Sequence, residues 1–238
     1  MKSVLVTGGT VRLGLAIAQH LRDCGYKVLT VSHRGDSGAD IVADFREPLG
    51  AAKCYAAAMK LLDGDPPDAL VNNAALYRGT DLEIEAINFT APQKLTMLMA
   101  GRETGRGAVV NILDANLERL EIRDERLEIR DKRLDEDVRL TLKDSNRPQC
   151  DAKYIDCKAR LREYTRSAAA MFAETLRVNA VSPGPVEGLS PVGIHEKAGD
   201  CPLGRPKPLD IAKAVAFLLD NDSVTGVDLP VDGGVAVG

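Results

Sequence analysis

Short runs of β-branched and other apolar residues alternate with longer helical patterns along almost the whole chain. Predicted strands lie at 3–9, 27–33, 40–45, 68–74, 107–113, 177–184 and 226–234. Predicted helices lie between them, at 13–25, 48–63, 85–102, 152–176 and 210–220. Strands and helices in regular alternation pair in parallel and place helices on both faces of the sheet. The sequence therefore predicts an α/β fold with a Rossmann-type, doubly wound parallel sheet of seven strands and helices on both faces.

The bulk composition is typical of one globular domain. Of the 238 residues, 45% are apolar, which is enough for a core of this size. A net charge of −4 favours neither nucleic acid nor an anionic membrane as a partner. The five cysteines form no CxxC pair, so we expect reduced thiols and no bound metal. No apolar run is long enough for a signal peptide or a membrane span, and we expect a cytoplasmic protein with one domain over residues 1–238.

Four motifs with polar residues or glycine stand where predicted strands end. They are TGGTVRLG after the first strand, the pair Asn72 and Asn73, the carboxylate Asp114, and SPG at residues 182–184. In open parallel sheets, ligands bind at the carboxyl ends of the strands. Each motif alone also fits a turn or a helix cap. Four of them at one edge of the sheet predict a binding site there.

The glycine-rich turn predicts binding of a dinucleotide. Gly8, Gly9 and Gly14 lie between the first strand and the first helix. Glycines in this position let a pyrophosphate approach the free N–H groups of a helix N-terminus. A plain strand–helix turn is the alternative interpretation.

The end of the second strand favours NADPH over NADH. Ser32, His33 and Arg34 stand there, without the acid that NAD-binding proteins place at this point for the ribose. A guanidinium binds phosphate oxygens well, so Arg34 suits the 2′-phosphate of NADPH. A solvated arginine at a strand end is the alternative. Asp36 close by is an acid, which counts against the preference for NADPH.

Two residues four apart, Tyr154 and Lys158, share one face of the longest predicted helix. An ammonium group one helical turn away stabilises a phenolate, which makes Tyr154 a proton donor suited to neutral pH. Together with TGGTVRLG, VNNAA, AINFTAP, VNAVSPG and TGVDLPVDGG, this pair makes the chain resemble the short-chain dehydrogenase/reductase family. The resemblance covers nearly the whole chain, apart from residues about 116–146. An ordinary tyrosine and lysine on an amphipathic helix are the alternative.

The resemblance implies a role for each matching residue. Tyr154 would donate a proton. Lys158 would lower the pKa of Tyr154 and hold the nicotinamide ribose, and Asn88 would anchor a water in the proton relay. Asn72 would contact the cofactor and Asp44 the adenine. The full set of cofactor contacts implied in this way is Gly8, Thr10, Arg12, Leu13, Gly14, Ser32, His33, Arg34, Asp44, Phe45, Asn72, Ala74, Tyr154, Lys158, Pro183 and Gly184.

Two positions depart from the usual family pattern. Arg12 stands where the glycine turn usually has a glycine, and Asp114 stands where the fifth strand usually ends in a serine. In both departures the chain resembles one subgroup, the pteridine reductases and dihydromonapterin reductases. In that subgroup an aromatic residue at the position of Tyr77 stacks on the pterin. Arg12, Tyr77 and Asp114 would then contact the substrate, and Asp114 would join the catalytic residues. A helix N-cap at Asp114 and a loop aromatic at Tyr77 are the alternatives.

The function predicted from these features is an NADPH-dependent reductase, with a dihydropteridine as the best substrate. A carbonyl reductase acting on a ketone or 3-oxoacyl substrate is the alternative within enzymes. A non-catalytic nucleotide-binding regulatory protein is the alternative outside them. The family resemblance also implies a homotetramer.

Residues 116–146 form a charged insertion with a seven-residue repeat, marked by Leu120, Leu127 and Leu134. Its leucine and isoleucine positions lie two apart, which suits a strand face and not a coiled-coil seam. A β-arm and a partly mobile helix are both compatible with the pattern. A solvated surface insertion, a lid and an oligomer contact are its possible roles.

Overall fold

The sheet of this computed structural model contains seven parallel strands in the order β3-β2-β1-β4-β5-β6-β7. The structure describes residues 1–103, 105–115, 152–189 and 201–236. The strands are β1 Ser3–Thr7, β2 Lys27–Ser32, β3 Ile41–Val42, β4 Ala69–Asn72, β5 Gly107–Ile112, β6 Leu176–Pro183 and β7 Asp228–Val231. The central strands β1, β4, β5 and β6 are buried along their whole length. Burial on both faces explains why their sequences are continuous apolar runs and do not alternate.

Helices cover both faces of this sheet. They are α1 Arg12–Asp23, α2 Gly50–Leu61, α3 Asp81–Glu85, a π-helix Ala86–Thr90, α4 Ala91–Ala100, α5 Ala152–Met171 and α6 Pro208–Asp220. One apolar core packs α1 and α6 against the sheet, and a second packs α2, α4 and α5 against the opposite face. The predicted doubly wound parallel fold is therefore confirmed. Among the described residues, no helix has the length and apolar composition to cross a membrane.

The helix predicted at 85–102 differs from the observed one in start and shape. It begins at Asp81, because Thr80 and Glu83 form a reciprocal capping box. A π-helix then interrupts it over Ala86–Thr90. Pro92 explains the interruption, since its ring has no N–H and clashes with the carbonyl of Asn88 in a regular α-helix. π-Helical turns of this kind are frequent at functional sites. The predicted insertion at 116–146 lies outside the described residues.

The strand order brings four motifs to one edge of the sheet. β1 pairs with β2 on one side and with β4 on the other. Strands β2 and β3 are therefore added to one side of β1, and strands β4 to β7 are added to the other side. β5 continues past Ile112 along β6, with Leu113 N–H donating to Val181 and Ala115 N–H donating to Pro183. This extension places Asp114 at the carboxyl edge, where ligands bind in folds of this type.

Candidate active site

The glycine turn after β1 leads directly into α1. Gly8 has a φ of +63°, and a Cβ on Gly14 would lie 2.0 Å from the carbonyl oxygen of Gly8. No side chain caps the N-terminus of α1, and its first turn contains no acid. The N–H groups at this end and the helix dipole therefore favour an anion such as a pyrophosphate.

Arg12 takes a backbone conformation that glycine adopts more easily. Its φ is +51°, in the left-handed region that favours glycine, which costs about 1 kcal/mol or more for an arginine. The exposed Arg12 guanidinium donates to the backbone carbonyl of Leu189, in the segment after β6. Arg12 thus spans the cleft between the glycine turn and the β6–α6 connection. Thr10 and Leu13 of the same turn are half-buried, and Leu13 packs against the core.

The two adjacent asparagines of VNNAA have different environments. Asn72 is buried in the sheet, where its side-chain amide donates to the Oδ1 of Asn111 at 2.8 Å. Asn73 lies at the cleft and donates through Nδ2 to the carbonyl oxygen of Thr7 at 3.0 Å. The backbone N–H groups of Asn73 and Ala74 both donate to Thr7 Oγ1, at 2.9 and 3.0 Å. Thr7 and Asn73, both within motifs that predict the site, therefore hold the glycine turn against β4.

The end of β2 presents basic side chains to solvent. Ser32 is buried and its Oγ accepts a hydrogen bond from the backbone N–H of Arg34 at 3.1 Å. His33 and Arg34 are exposed, as is Asp36. Among the described residues, the Arg34 side chain has no ion-pair partner, so its guanidinium is available to a phosphate.

Asp44, the predicted adenine contact, is held by Arg46, which was not predicted as a site residue. Arg46 donates to both carboxylate oxygens of Asp44 through its guanidinium, at 2.6 to 3.0 Å, and its backbone N–H donates at 2.9 Å. These bonds lower the pKa of Asp44 to about 2, so the carboxylate is ionised at neutral pH. Arg46 also pairs with Glu83 at 3.5 Å, which links this loop to α3. Phe45 packs partly buried against the core beside them.

Tyr154, Lys158 and Asp114 meet at the carboxyl end of β5. The Tyr154 hydroxyl donates to Asp114 Oδ2 at 3.2 Å. The Lys158 ammonium donates to the carbonyl oxygen of Ile112 at 2.7 Å and lies 5.7 Å from the centre of the Tyr154 ring. Burial lowers the pKa of Lys158 to about 8, and the Asp114 carboxylate opposes that shift. A phenol donor, a cation and a carboxylate thus share one site, although Asp114 precedes Tyr154 by 40 residues along the chain.

The pH dependence of the free energy of unfolding should reveal the lowered pKa of the buried Lys158. Its pKa is lowered from 10.5 to about 8, so between these values the unfolded chain holds a proton that the folded chain has lost. The contribution of Lys158 to stability should therefore rise as the pH increases from about 8 to 10.5, by about 3 kcal/mol at most. Denaturant unfolding of the cofactor-free protein at several pH values measures this contribution.

The comparison that isolates it is the difference between the parent and Lys158→Met. The free energy of unfolding of the parent minus that of Lys158→Met should increase as the pH rises from about 8 to 10.5, while the same difference for Lys94→Met, an exposed lysine, should stay constant. A pH-independent difference for Lys158→Met would contradict the assignment of a lowered pKa.

Asn88 lies in the π-helix and is fully buried. Its Nδ2 donates to the carbonyl oxygens of Leu76 and Ile84, at 2.8 and 2.9 Å, and its Oδ1 accepts the N–H of Leu76 at 3.2 Å. The side chain is therefore engaged in holding the loop after β4. The next residue in that loop, Tyr77, stacks on the ring of Tyr154 with centroids 4.5 Å apart.

Pro183 and Gly184 end β6 beside the site. The N–H of Gly184 donates to Val231 at 3.1 Å, and a Cβ on Gly184 would lie 2.6 Å from the Cα of Asp232. The backbone directly after β7 therefore leaves no room for a side chain at position 184, which explains the glycine there. This close approach also brings the backbone of residues 183 and 184 to the same edge as Asp114, since Ala115 N–H donates to Pro183.

Relatives of known sequence and structure match the chain over its length. The family described as enoyl-(acyl carrier protein) reductase matches residues 142–236. The 2,5-dichloro-2,5-cyclohexadiene-1,4-diol dehydrogenase LinX of Sphingobium indicum is 25% identical over 271 residues, which cover 100% of this chain and 97% of LinX. The 3-oxoacyl-(acyl-carrier-protein) reductase MabA of Mycobacterium bovis is 28% identical over 251 residues, which cover 100% of this chain and 94% of MabA.

A solved structure adds to these relatives. FolM alternative dihydrofolate reductase 1 from Brucella canis, complexed with NADP, is 26% identical and matches with a TM-score of 0.77 over 100% of this chain and 95% of that one. The chain is therefore similar over its whole length to dehydrogenases and reductases, and it is an oxidoreductase.

Proposed function

We propose that this protein is an NADPH-dependent reductase whose preferred substrate is a dihydropteridine. The observation that carries the proposal is the carboxylate of Asp114, 3.2 Å from the hydroxyl of Tyr154. A pterin presents several N–H donors along one edge, and an ionised carboxylate accepts two such bonds side by side. A carboxylate beside the proton donor therefore favours a substrate that brings its own N–H groups. The likeness to a dihydrofolate reductase structure supports the same substrate class.

The residues present fit a dinucleotide with a 2′-phosphate. The uncapped N-terminus of α1 suits the pyrophosphate, and Arg34 suits the 2′-phosphate. Asp44 is ionised and close to the end of β3, where it would accept from the adenine amino group. When bound, the cofactor supplies a hydride.

The side chains at β5 and α5 supply the proton. Tyr154 donates from its hydroxyl to the substrate atom that becomes basic during reduction. The ammonium of Lys158, held by Ile112, stabilises the negative charge that proton donation leaves on the phenol oxygen. Asp114 accepts hydrogen bonds from the substrate and keeps it oriented toward Tyr154.

NADPH should bind more tightly than NADH to the unmutated protein. Arg34→Ala should weaken NADPH binding by a few kcal/mol at most and leave NADH binding unchanged, because the guanidinium pairs only with the extra phosphate. Isothermal titration with each cofactor measures both affinities. Arg22→Ala, at an exposed position on α1, is the matched control. Equal affinity for the two cofactors in the parent would refute the preference.

A carbonyl reductase is the second candidate function. Its support is the full-length similarity to MabA, a 3-oxoacyl-(acyl-carrier-protein) reductase. In that function Asp114 would only replace the serine that the family usually has. The two candidates are separated by measuring NADPH oxidation against dihydropterins, dihydrofolate, quinones, ketones and 3-oxoacyl thioesters. If the protein turns over ketones or thioesters but no pterins, the carbonyl reductase becomes the favoured function.

The assembly and location of the protein stay predictions. We propose a homotetramer and a cytoplasmic location, both from the family resemblance and the composition. Light scattering coupled to size-exclusion chromatography gives the molar mass in solution and so tests the tetramer.

A further inference from the structure

The ring of Tyr77 stacks on the ring of Tyr154. The two centroids are 4.5 Å apart and the planes are inclined by 30°. Tyr77 is 48% exposed, whereas Tyr154 is 2% exposed. We infer that Tyr77 is a positioning residue that holds the ring of the proton donor, so that its hydroxyl is directed toward Asp114 and the substrate. The inference rests on the proposed function, in which Tyr154 donates the proton.

The backbone on both sides of Tyr77 is fixed by hydrogen bonds. Before it, Leu76 is held through its N–H and its carbonyl oxygen by the side chain of Asn88, at 3.2 and 2.8 Å. After it, Thr80 is held by the capping box with Glu83 at the start of α3. Tyr77 is therefore presented from a short loop that is anchored at both ends, which suits a fixed support for a neighbouring ring.

The Tyr154 ring needs such a support during the reaction. In the structure its hydroxyl donates to Asp114. Proton donation to a substrate requires the hydroxyl to turn from Asp114 toward the substrate atom, which weakens that restraint. The stacked ring of Tyr77 and the apolar contacts with Ile84 and Leu76 stay in place during this change. Stacking against Tyr77 then keeps the phenol in the orientation that donation requires.

This role differs from direct stacking on the substrate, which the sequence resemblance predicts for Tyr77. A residue that binds the substrate equally in the ground and transition states changes KM. A residue that orients the proton donor changes kcat and does so only while the donor hydroxyl is present. The two roles therefore predict different kinetics for the same substitution.

The test is a double-mutant cycle with steady-state kinetics, using NADPH and the substrate from the panel that the parent turns over fastest. Tyr77→Ala should lower kcat about tenfold, the limit expected for loss of one aromatic pair, with KM within about twofold. Tyr77→Phe keeps the ring and should stay within about twofold of the parent. In the Tyr154→Phe background, Tyr77→Ala should cause no further loss. Phe217→Ala is the matched control, because Phe217 is an aromatic residue of similar exposure, 51%, on α6.

Either of two results would overturn the inference. A raised KM with unchanged kcat in Tyr77→Ala would assign Tyr77 to the substrate, and an equal loss in both backgrounds would make its role independent of Tyr154. If Tyr77→Ala does not fold, Tyr77→Leu removes the ring while keeping apolar bulk and is measured in its place. Near-normal turnover in Tyr154→Phe alone would instead overturn the role of Tyr154 as the proton donor of the proposed function, so the two failures are distinguishable.

Discussion

Tyr154→Phe should lower NADPH-dependent turnover by about 10²–10⁴, the usual range for loss of a general acid. The substitution keeps the ring, so the stack with Tyr77 and the packing against Ile84 should survive. It removes the hydroxyl that donates to Asp114 and that the proposed mechanism uses as proton donor. Single-turnover measurements with pre-bound NADPH report the loss at the chemical step, free of product release.

Cofactor binding separates a catalytic loss from a folding defect. NADPH should bind to Tyr154→Phe nearly as tightly as to the parent, because the proposed contacts with the pyrophosphate and the 2′-phosphate lie at the N-terminus of α1 and after β2. Tyr164→Phe is the matched control, since Tyr164 is on the same helix and its hydroxyl donates only weakly, at 3.4 Å, to Gln93. Retention of most of the parent activity in Tyr154→Phe would show that another group donates the proton.

The fold was predictable because its signals are local and repeated. Each buried strand is a short apolar run, and each helix between two strands has an apolar stripe, so alternation alone indicates the parallel sheet. The Tyr154 and Lys158 pair was also predictable, because four residues along a helix place two side chains on one face. Asp114 was identifiable as a polar residue at a strand end, and the extension of β5 along β6 explains its position.

The contacts that position these residues were not predictable from the sequence. Arg46 holds Asp44 within one loop, and Asn88 of the π-helix holds Leu76 in the loop before it, and no residue pattern in the sequence marks either bond. The π-helix at Ala86–Thr90 depends on a proline that equally fits the first turn of an ordinary helix. Tyr77 meets Tyr154 across 77 positions of sequence, and no periodicity connects a loop residue with a helix residue at that separation.

Asp114→Ala should abolish most of the pterin reductase activity while leaving NADPH binding intact. In the proposed function, the substitution removes two charge-assisted hydrogen bonds to the pterin, each worth about 1.5–3 kcal/mol. Every 1.4 kcal/mol lost corresponds to about tenfold in kcat/KM, so the expected loss is about 10²-fold or more. A dihydropterin and a simple ketone, assayed side by side, show whether the loss is specific to substrates with N–H donors.

Asp114→Ser should have the opposite effect on the rate of ketone reduction. A ketone brings no N–H group, so to reach the proton donor it must take the Tyr154 hydroxyl away from Asp114 and leave a carboxylate without that bond. A serine hydroxyl can itself donate to a ketone oxygen and carries no charge. Ketone reduction should therefore persist or increase in Asp114→Ser, while pterin reduction falls as in Asp114→Ala. If Asp114→Ala reduces dihydropterins as fast as the parent, or if the parent binds no pterin, the carboxylate does not select the substrate. The carbonyl reductase is then the better account of the site, because the remaining elements, Tyr154 and Lys158, are shared by both functions.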